Sequence, residues 1–233
     1  MKKYVIFGSS EYLSDIFDII HGNNGKVYKI YQNMPEVKRE RAIGLKERVA
    51  LLGYDVTVYD SLDPFEPEEG CSYTIGTTTP QKYKLIEVLK KRYSLAFGTL
   101  VHPTVILGSN VHIGEGVTIN VQTTIGPNVY LDDFCSINRC SSIGHETKIG
   151  KYASVGPGVC IAGSAHIGDK CSIGMNATIR NHLYIGDWTV IGAGSLVTKD
   201  MPQGVVAYGA PAKVIRENDE VDFERYKAKR TIT

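Results

Sequence analysis

The sequence has no excess of charge of either sign. Its 26 lysines and arginines against 25 aspartates and glutamates leave a formal net charge of +1 over 233 residues, without the concentrated Lys/Arg face that grips nucleic acid. No stretch approaches the roughly 18 consecutive apolar residues of a membrane span. Met1-Lys2-Lys3 runs straight into an alternating apolar segment, which is not the pattern of a secretory leader. Cysteine is sparse and odd in number, five in all. Cys135, Cys140, Cys160 and Cys171 are scattered without metal or redox spacing, so they read as small core or corner residues in a reducing compartment. These absences predict a cytoplasmic protein whose partners are neither nucleic acid nor bilayer.

What is present is a period of six. Cut into sixes, residues 101–202 place Val101, Leu107, Ile113, Ile119, Ile125, Leu131, Ile137, Ile143, Ile149, Val155, Ile161, Ile167, Ile173, Ile179, Ile185, Ile191 and Val197 at the head of successive blocks. With aliphatics making up roughly a quarter of an ordinary chain, such a run arises by chance with a probability on the order of 10⁻¹⁰. The residue after the aliphatic is Gly in ten blocks and Asn or Asp in three (Asn120, Asp132, Asn138), which predicts a positive φ there and a corner. Four places after the aliphatic the residue is mostly small, as at Thr123, Ser141, Ala153, Ala165 and Ala177. One short strand and one bend per six residues make a parallel β-helix.

The first hundred residues read differently. An apolar run at 4–7 ends in Gly8-Ser9-Ser10, and Leu13, Ile16, Phe17 and Ile20 then recur at helical spacing. Strands are expected at 27–31, 54–59, 72–75 and 93–97 and a charged helix over 36–52, with Thr79 capping a further helix that has Pro80 at its first position. Alternating strands and helices predict a small Rossmann-like parallel α/β sheet over 1–98, with ligands beyond the carboxyl ends of its strands. The β-helix then takes 99–216, and a charged tail, helical in part, takes 217–233.

A small α/β domain, a hexapeptide β-helix and a closing Gly209-Ala210-Pro211-Ala212-Lys213 resemble the bacterial sugar acyltransferases. The branch is that of the nucleotide-sugar N-acetyltransferases of the bacillosamine and perosamine type and the sialic-acid O-acetyltransferases of surface-glycan pathways. The most specific piece is Ile137-Asn138-Arg139-Cys140-Ser141-Ser142-Ile143-Gly144-His145-Glu146, which resembles the catalytic segment of that family. The resemblance implies a left-handed β-helix whose coils take three blocks each, so that residues eighteen apart stack. It also implies a homotrimer with acetyl-CoA in the groove between adjacent β-helices, and a nucleotide-activated amino sugar as acceptor. The corner column through His145 holds Ser109, Pro127, His145, Gly163, Asn181 and Lys199. A second holds Pro103, Val121, Arg139, Pro157, Met175 and Ala193, and both are expected to border a neighbouring subunit. The third, Glu115, Asp133, Lys151, Asp169 and Asp187, is charged throughout and is expected to face water.

Acetyl transfer from a thioester needs a base for the proton of the attacking group, and an imidazole titrates near neutrality when unperturbed. An isolated His-Glu pair is ordinarily a solvated corner. The resemblance instead implies that His145 is the base, Glu146 the partner that fixes its tautomer, and Asn138 a group that orients the acceptor or the imidazole. It places Gly163, Met175 and Ala193 along the cofactor, with Ser154 where relatives carry a second histidine. For the acceptor it points to Gly8, Ser10, Glu11, Tyr12, Asn33 and Gly76, with Glu11 and Tyr12 standing where the family has the second Gly and the His of its phosphate turn. No metal is expected, because no His-x₄-His pair offers the three imidazoles that a zinc hydratase of the same β-helix class needs. Amine and hydroxyl acceptors use the same base and groove and stay open at this point, as does a non-catalytic scaffold or nucleotide-sugar sensor.

Overall fold

The computed structural model describes residues 1–33 and 43–219. The amino-terminal part comprises β1 (Lys2–Phe7), α1 (Leu13–Gly22), β2 (Gly25–Tyr31), α2 (Leu45–Ala50), β3 (Thr57–Tyr59), β4 (Cys71–Ile75) and α3 (Lys82–Tyr93). All four strands are parallel, in the order β3-β2-β1-β4. Residues 4–7 of β1 are buried on both sides, as expected of a strand covered by helices. Leu13, Ile16, Phe17, Ile19 and Ile20 are the buried stripe of α1. Successive connections leave β1 in opposite directions, so a switch point opens at the carboxyl ends of β1 and β4.

Two expectations fail here. α3 begins at Lys82 without a side-chain cap, because the Lys82 and Tyr83 N–H groups bond to the Thr79 and Pro80 carbonyls in a tighter lead-in turn. The strand expected at 93–97 does not form. Ser94 takes the left-handed conformation that ends α3, and Phe97, whose N–H donates to Glu115 Oε1 at 2.8 Å, makes one isolated bridge to Tyr73. Of the helix expected over 36–52 only α2 is seen; residues 34–42 lie outside the described residues, as do 220–233 of the expected tail.

Between Leu100 and Val197 seventeen two-residue strands stack into three parallel faces of a left-handed β-helix. Partners are eighteen residues apart, as in Ser136 with Ser154 and Ile137 with Val155. The first face runs through Thr118, Ser136, Ser154 and Ser172 and ends in a hairpin of Val205–Gly209 with Ala212–Glu217. The second runs through Thr124, Ser142 and Cys160, and the third through Tyr130, Lys148 and His166. From Ile119 to Val197 every block-heading aliphatic is buried in one continuous core, each worth roughly 1.5–3 kcal/mol of burial. Leu107 departs from the pattern at 43% exposed. Its coil is the first and its strand ends that face, whereas α1 lies beneath the first face and Asn23 Nδ2 donates to the Val101 carbonyl at 2.8 Å.

The corners are not turned where the glycines suggest. Positive φ falls two places later, at Asn110, Gln122, Asn128, Phe134, Cys140, Glu146, Tyr152, Ser164, Lys170, Asn176, His182 and Trp188, and at Gly116, Gly158 and Gly194. From Asn128 onward this conformation aims an N–H at a carbonyl of the preceding coil, as from Phe134 to the Glu115 carbonyl at 2.7 Å and from Ser164 to the His145 carbonyl at 2.7 Å. The block glycines serve close approach instead: a Cβ at Gly144 would stand 2.4 Å from the Gly163 nitrogen of the next coil. Where Asp or Asn replaces that glycine, its side chain accepts from the following N–H, at 2.6 Å for Asn120 and 2.8 Å for Asn138. Left-handed residues other than glycine are strained by ~1–2 kcal/mol, against ~0.5–1 kcal/mol for the chain entropy of glycine. His182→Gly is therefore expected to stabilise the protein by about 0.5–1 kcal/mol, read as a higher melting temperature.

The third column is a structural ladder, and its lower end is covered, contrary to expectation. Asp133, Asp169 and Asp187 each accept the N–H of the residue one coil below, at 2.8–3.0 Å. At the bottom Glu115 pairs with Lys90 of α3 and accepts from Phe97. Beside it the left-handed positions carry Phe134, Tyr152 and Trp188; Phe134 packs on Phe97, and Tyr152 and Trp188 on Tyr83 of α3. The α/β domain thus seats itself on this corner and on the first face. Among the described residues nothing covers the second and third faces or the corner between them.

Candidate active site

His145 lies on that open corner, between the Ser142–Ile143 and Lys148–Ile149 strands. Its carbonyl is fixed by Ser164 N–H, and Glu146 N–H bonds to the Pro127 carbonyl at 3.0 Å. The left-handed backbone of Glu146, φ +61°, carries its carboxylate back beside the ring, with Nδ1 3.6 Å from Oε2. That is an ion-pair distance, longer than a hydrogen bond. Both side chains are largely exposed, at 62% and 59%. Ser164 holds the carboxylate, its hydroxyl donating to Oε2 at 3.1 Å. One coil on, Gly163 underlies the imidazole, for a Cβ there would stand 2.5 Å from Nε2. The missing side chain is what lets the ring lie along the edge.

Asn138 is not part of this cluster. It sits on the corner between the first and second faces, where its Oδ1 accepts from Arg139 N–H and lies 3.3 Å from Asn120 Nδ2. Asn120 in turn donates to Asp15 of α1 at 2.8 Å and meets the Tyr12 hydroxyl at 3.5 Å, while Arg139 donates to Asp15 at 3.2 Å. Burial, with Asp15 adding to it, pushes the Tyr12 hydroxyl well above the usual phenol range, so it stays protonated. Met175 and Ala193 stand above Arg139 on the same corner, Met175 exposed. Ser154 lies on the first face, one coil above Ser136. Within one chain the residues expected along the cofactor therefore divide between two edges of the prism.

The residues expected to meet the acceptor gather at the switch point. Gly8, with φ +123°, donates to the Tyr31 carbonyl at 2.9 Å, and Gly76 donates to the Phe7 carbonyl at 2.7 Å. A Cβ on Gly8 would stand 3.5 Å from the Gly76 backbone. The Ser10 hydroxyl donates to the Gly76 carbonyl at 2.5 Å, and buried Arg48 donates to the Ser10 carbonyl at 3.1 Å. Glu11 and Asn33 are exposed at the rim. Beside Asn33, the buried Gln32 donates to Asp60 at 3.0 Å. Asp15, Arg48, Asn120, Arg139 and Ser164 are contacts that reading the sequence missed. The available signal was the eighteen-residue interval, which links Asn120 to Asn138 and Glu146 to Ser164. Among the described residues no group of three or more His, Cys, Asp or Glu is placed to hold a metal ion.

The family model for bacterial transferase hexapeptide, six repeats, matches residues 164–199. A mutant perosamine N-acetyltransferase from Caulobacter crescentus, in complex with CoA and GDP-perosamine, superimposes with a TM-score of 0.79 at 23% identity, covering 92% of this chain and 97% of that one. The fold is that of the left-handed β-helix sugar acyltransferases. The acetyltransferase domain of PglB from Neisseria gonorrhoeae, in complex with acetyl coenzyme A, aligns over 92% of this chain and 99% of that one at 19% identity with a TM-score of 0.75. WeeI from Acinetobacter baumannii aligns over 91% and 99% at 23% identity with a TM-score of 0.74. No curated protein matches by sequence. Both parts of the acyltransferase fold, the α/β sheet and the β-helix, fall within the aligned share.

Proposed function

We propose that the protein is an acetyl-CoA-dependent N-acetyltransferase acting on a nucleotide-linked amino sugar of the 4-amino-4,6-dideoxyhexose type, working in the cytoplasm as a homotrimer. The observation that carries this reading is the exposed imidazole of His145 laid over Gly163 on an uncovered edge of the β-helix. The ligands of the perosamine N-acetyltransferase, CoA and GDP-perosamine, support it. The edge fits a thioester co-substrate: a reactive carbonyl can reach the exposed ring without meeting a side chain at 163. Acetyl-CoA would bring an activated acyl carbon. With Nδ1 turned to Glu146, Nε2 is the position that accepts the amine proton, and Glu146 steadies the resulting imidazolium as Ser164 holds its carboxylate. Asn138, linked through Asn120 to Tyr12, orients the acceptor rather than His145. Met175 and Ala193 hold the far side of the cofactor from a second copy, which is how residues on two edges come to serve one ligand. Gly8, Ser10, Glu11, Tyr12, Asn33 and Gly76 line the crevice for the nucleotide diphosphate sugar.

A mass-spectrometric screen of nucleotide-linked amino sugars with acetyl-CoA tests the reading. One of them is expected to gain a single acetyl group on its amine. If only hydroxyl sugars are acetylated, or no sugar is modified while acetyl-CoA fails to raise the melting temperature, the reading is wrong.

A further inference from the structure

We propose that Lys82 is a positioning residue that sets the acceptor turn, residues 76–81, against the first face of the β-helix, and that it does so as a neutral amine. Lys82 opens α3 and is only 4% exposed. Its Nζ donates across the domain boundary to Ser136 Oγ at 2.5 Å and, at the long end of hydrogen bonding, to the Thr78 carbonyl at 3.5 Å. Thr78 follows Gly76 at the mouth of the crevice. Ser136 lies two residues before Asn138 and one coil below Ser154. The amine thus spans the acceptor side and the β-helix side of the proposed site.

A neutral amine has two N–H groups, and these two oxygens take both. An ammonium would carry a third, for which the described residues offer no acceptor, and no carboxylate among them pairs with it. Burying an unpaired charge is far costlier than burying a bonded amine. Burial accordingly pushes Lys82 down to about 7, opposed only by the Cys135 thiol. Tyr83, Lys84 and Glu87 in α3 and Asp132, Asp133 and Tyr152 on the adjoining corner add nothing to that balance. Because the folded value lies below that of the unfolded chain, the stability from this contact is complete only above the ordinary lysine range. It is lost as pH falls to about 7. Below that the folded protein takes up the proton, and the third N–H and the charge are satisfied only by water, which the turn must open to admit.

Two measurements on the full chain test this. In protein labelled with ¹³C at lysine Cε, one resonance is expected to titrate near neutrality and to be missing from Lys82→Met. Amide exchange over 76–81, corrected for its intrinsic pH dependence, should accelerate below neutrality in the wild type and not in the variant. All lysines titrating in the ordinary range, or the same exchange in both proteins, would overturn the proposal. If Lys82→Met does not fold, Ser136→Ala takes its place: it must shift that same resonance, and no shift overturns the idea. The kinetic arm rests on the proposed acetyl transfer. The acceptor KM should rise about tenfold from pH 8 to pH 6, in line with the competent fraction, and stay flat in Lys82→Met, while exposed Lys91→Met follows the wild type. Any change of kcat with pH that all three proteins share does not bear on Lys82. A KM profile in Lys82→Met that parallels the wild type also overturns the positioning role. Should the spectroscopic arm succeed while no nucleotide sugar is a substrate, the functional reading fails and the role of Lys82 in placing the turn stands.

Discussion

Replacing His145 with alanine is expected to leave a folded, assembled protein whose kcat is lower by roughly 10²–10⁴-fold, the usual worth of a positioned general base. The fold should survive because the side chain is mostly exposed and makes no hydrogen bond among the described residues, while the backbone bonds of the corner run through its carbonyl and through Glu146 N–H. Binding of acetyl-CoA, followed as a rise in melting temperature, should persist, since the loss falls on proton transfer and not on the groove. Glu146→Gln should cost less than His145→Ala, because the carboxylate stands 3.6 Å from the ring and acts on it only through charge. A variant lacking His145 that turns over at a near-normal rate would assign the base elsewhere.

Gly144→Ala is the second large effect. Its Cβ would stand 2.4 Å from the Gly163 nitrogen and 2.7 Å from the Ala162 carbonyl carbon, both backbone atoms of the next coil. These atoms cannot yield without parting two rungs, so a loss of at least ~3 kcal/mol is expected, seen as a drop of roughly 6–12 °C in melting temperature. Gly163→Ala is the informative contrast. There the added Cβ meets the far end of the exposed His145 ring, which can swing away at little cost to stability. Its melting temperature should stay near that of the wild type while kcat falls at least about tenfold as the base leaves its place. If the two variants lose stability equally, close coil contact and not the imidazole explains Gly163.

These two glycines also show what the sequence makes legible. The period of six announces the β-helix, and the residues at the heads of the blocks from Ile119 onward are its core. The same arithmetic places His145, Gly163 and Glu146 on one edge. It does not say why a glycine is where it is: the residues that bear positive φ are Phe134, Tyr152 and Trp188 as readily as Asn128, because the hydrogen bond to the coil below offsets the strain of any side chain. Nor does periodicity within the β-helix say what docks upon it. The charged column looks solvated in isolation, and only the packing of α3 onto Phe134, Tyr152 and Trp188 shows Glu115 serving Lys90 and Phe97. Lys82 is illegible for the same reason, a lysine in a helix being ordinarily a solvated one.

The division of the expected cofactor residues between two edges makes the account depend on a second copy. Mixing tests that dependence most directly. His145→Ala removes the base from one edge, and Met175→Trp, at an exposed position, obstructs the other. Each variant alone should be nearly inactive. Unfolded together and refolded in equal amounts, they should recover about a quarter of wild-type activity, the share of interfaces in random trimers where an intact His145 edge faces an intact Met175 edge. Activity no higher than the sum of the two separate variants would place both residues in one chain's site, or Met175 outside it, and contradict a site shared between copies.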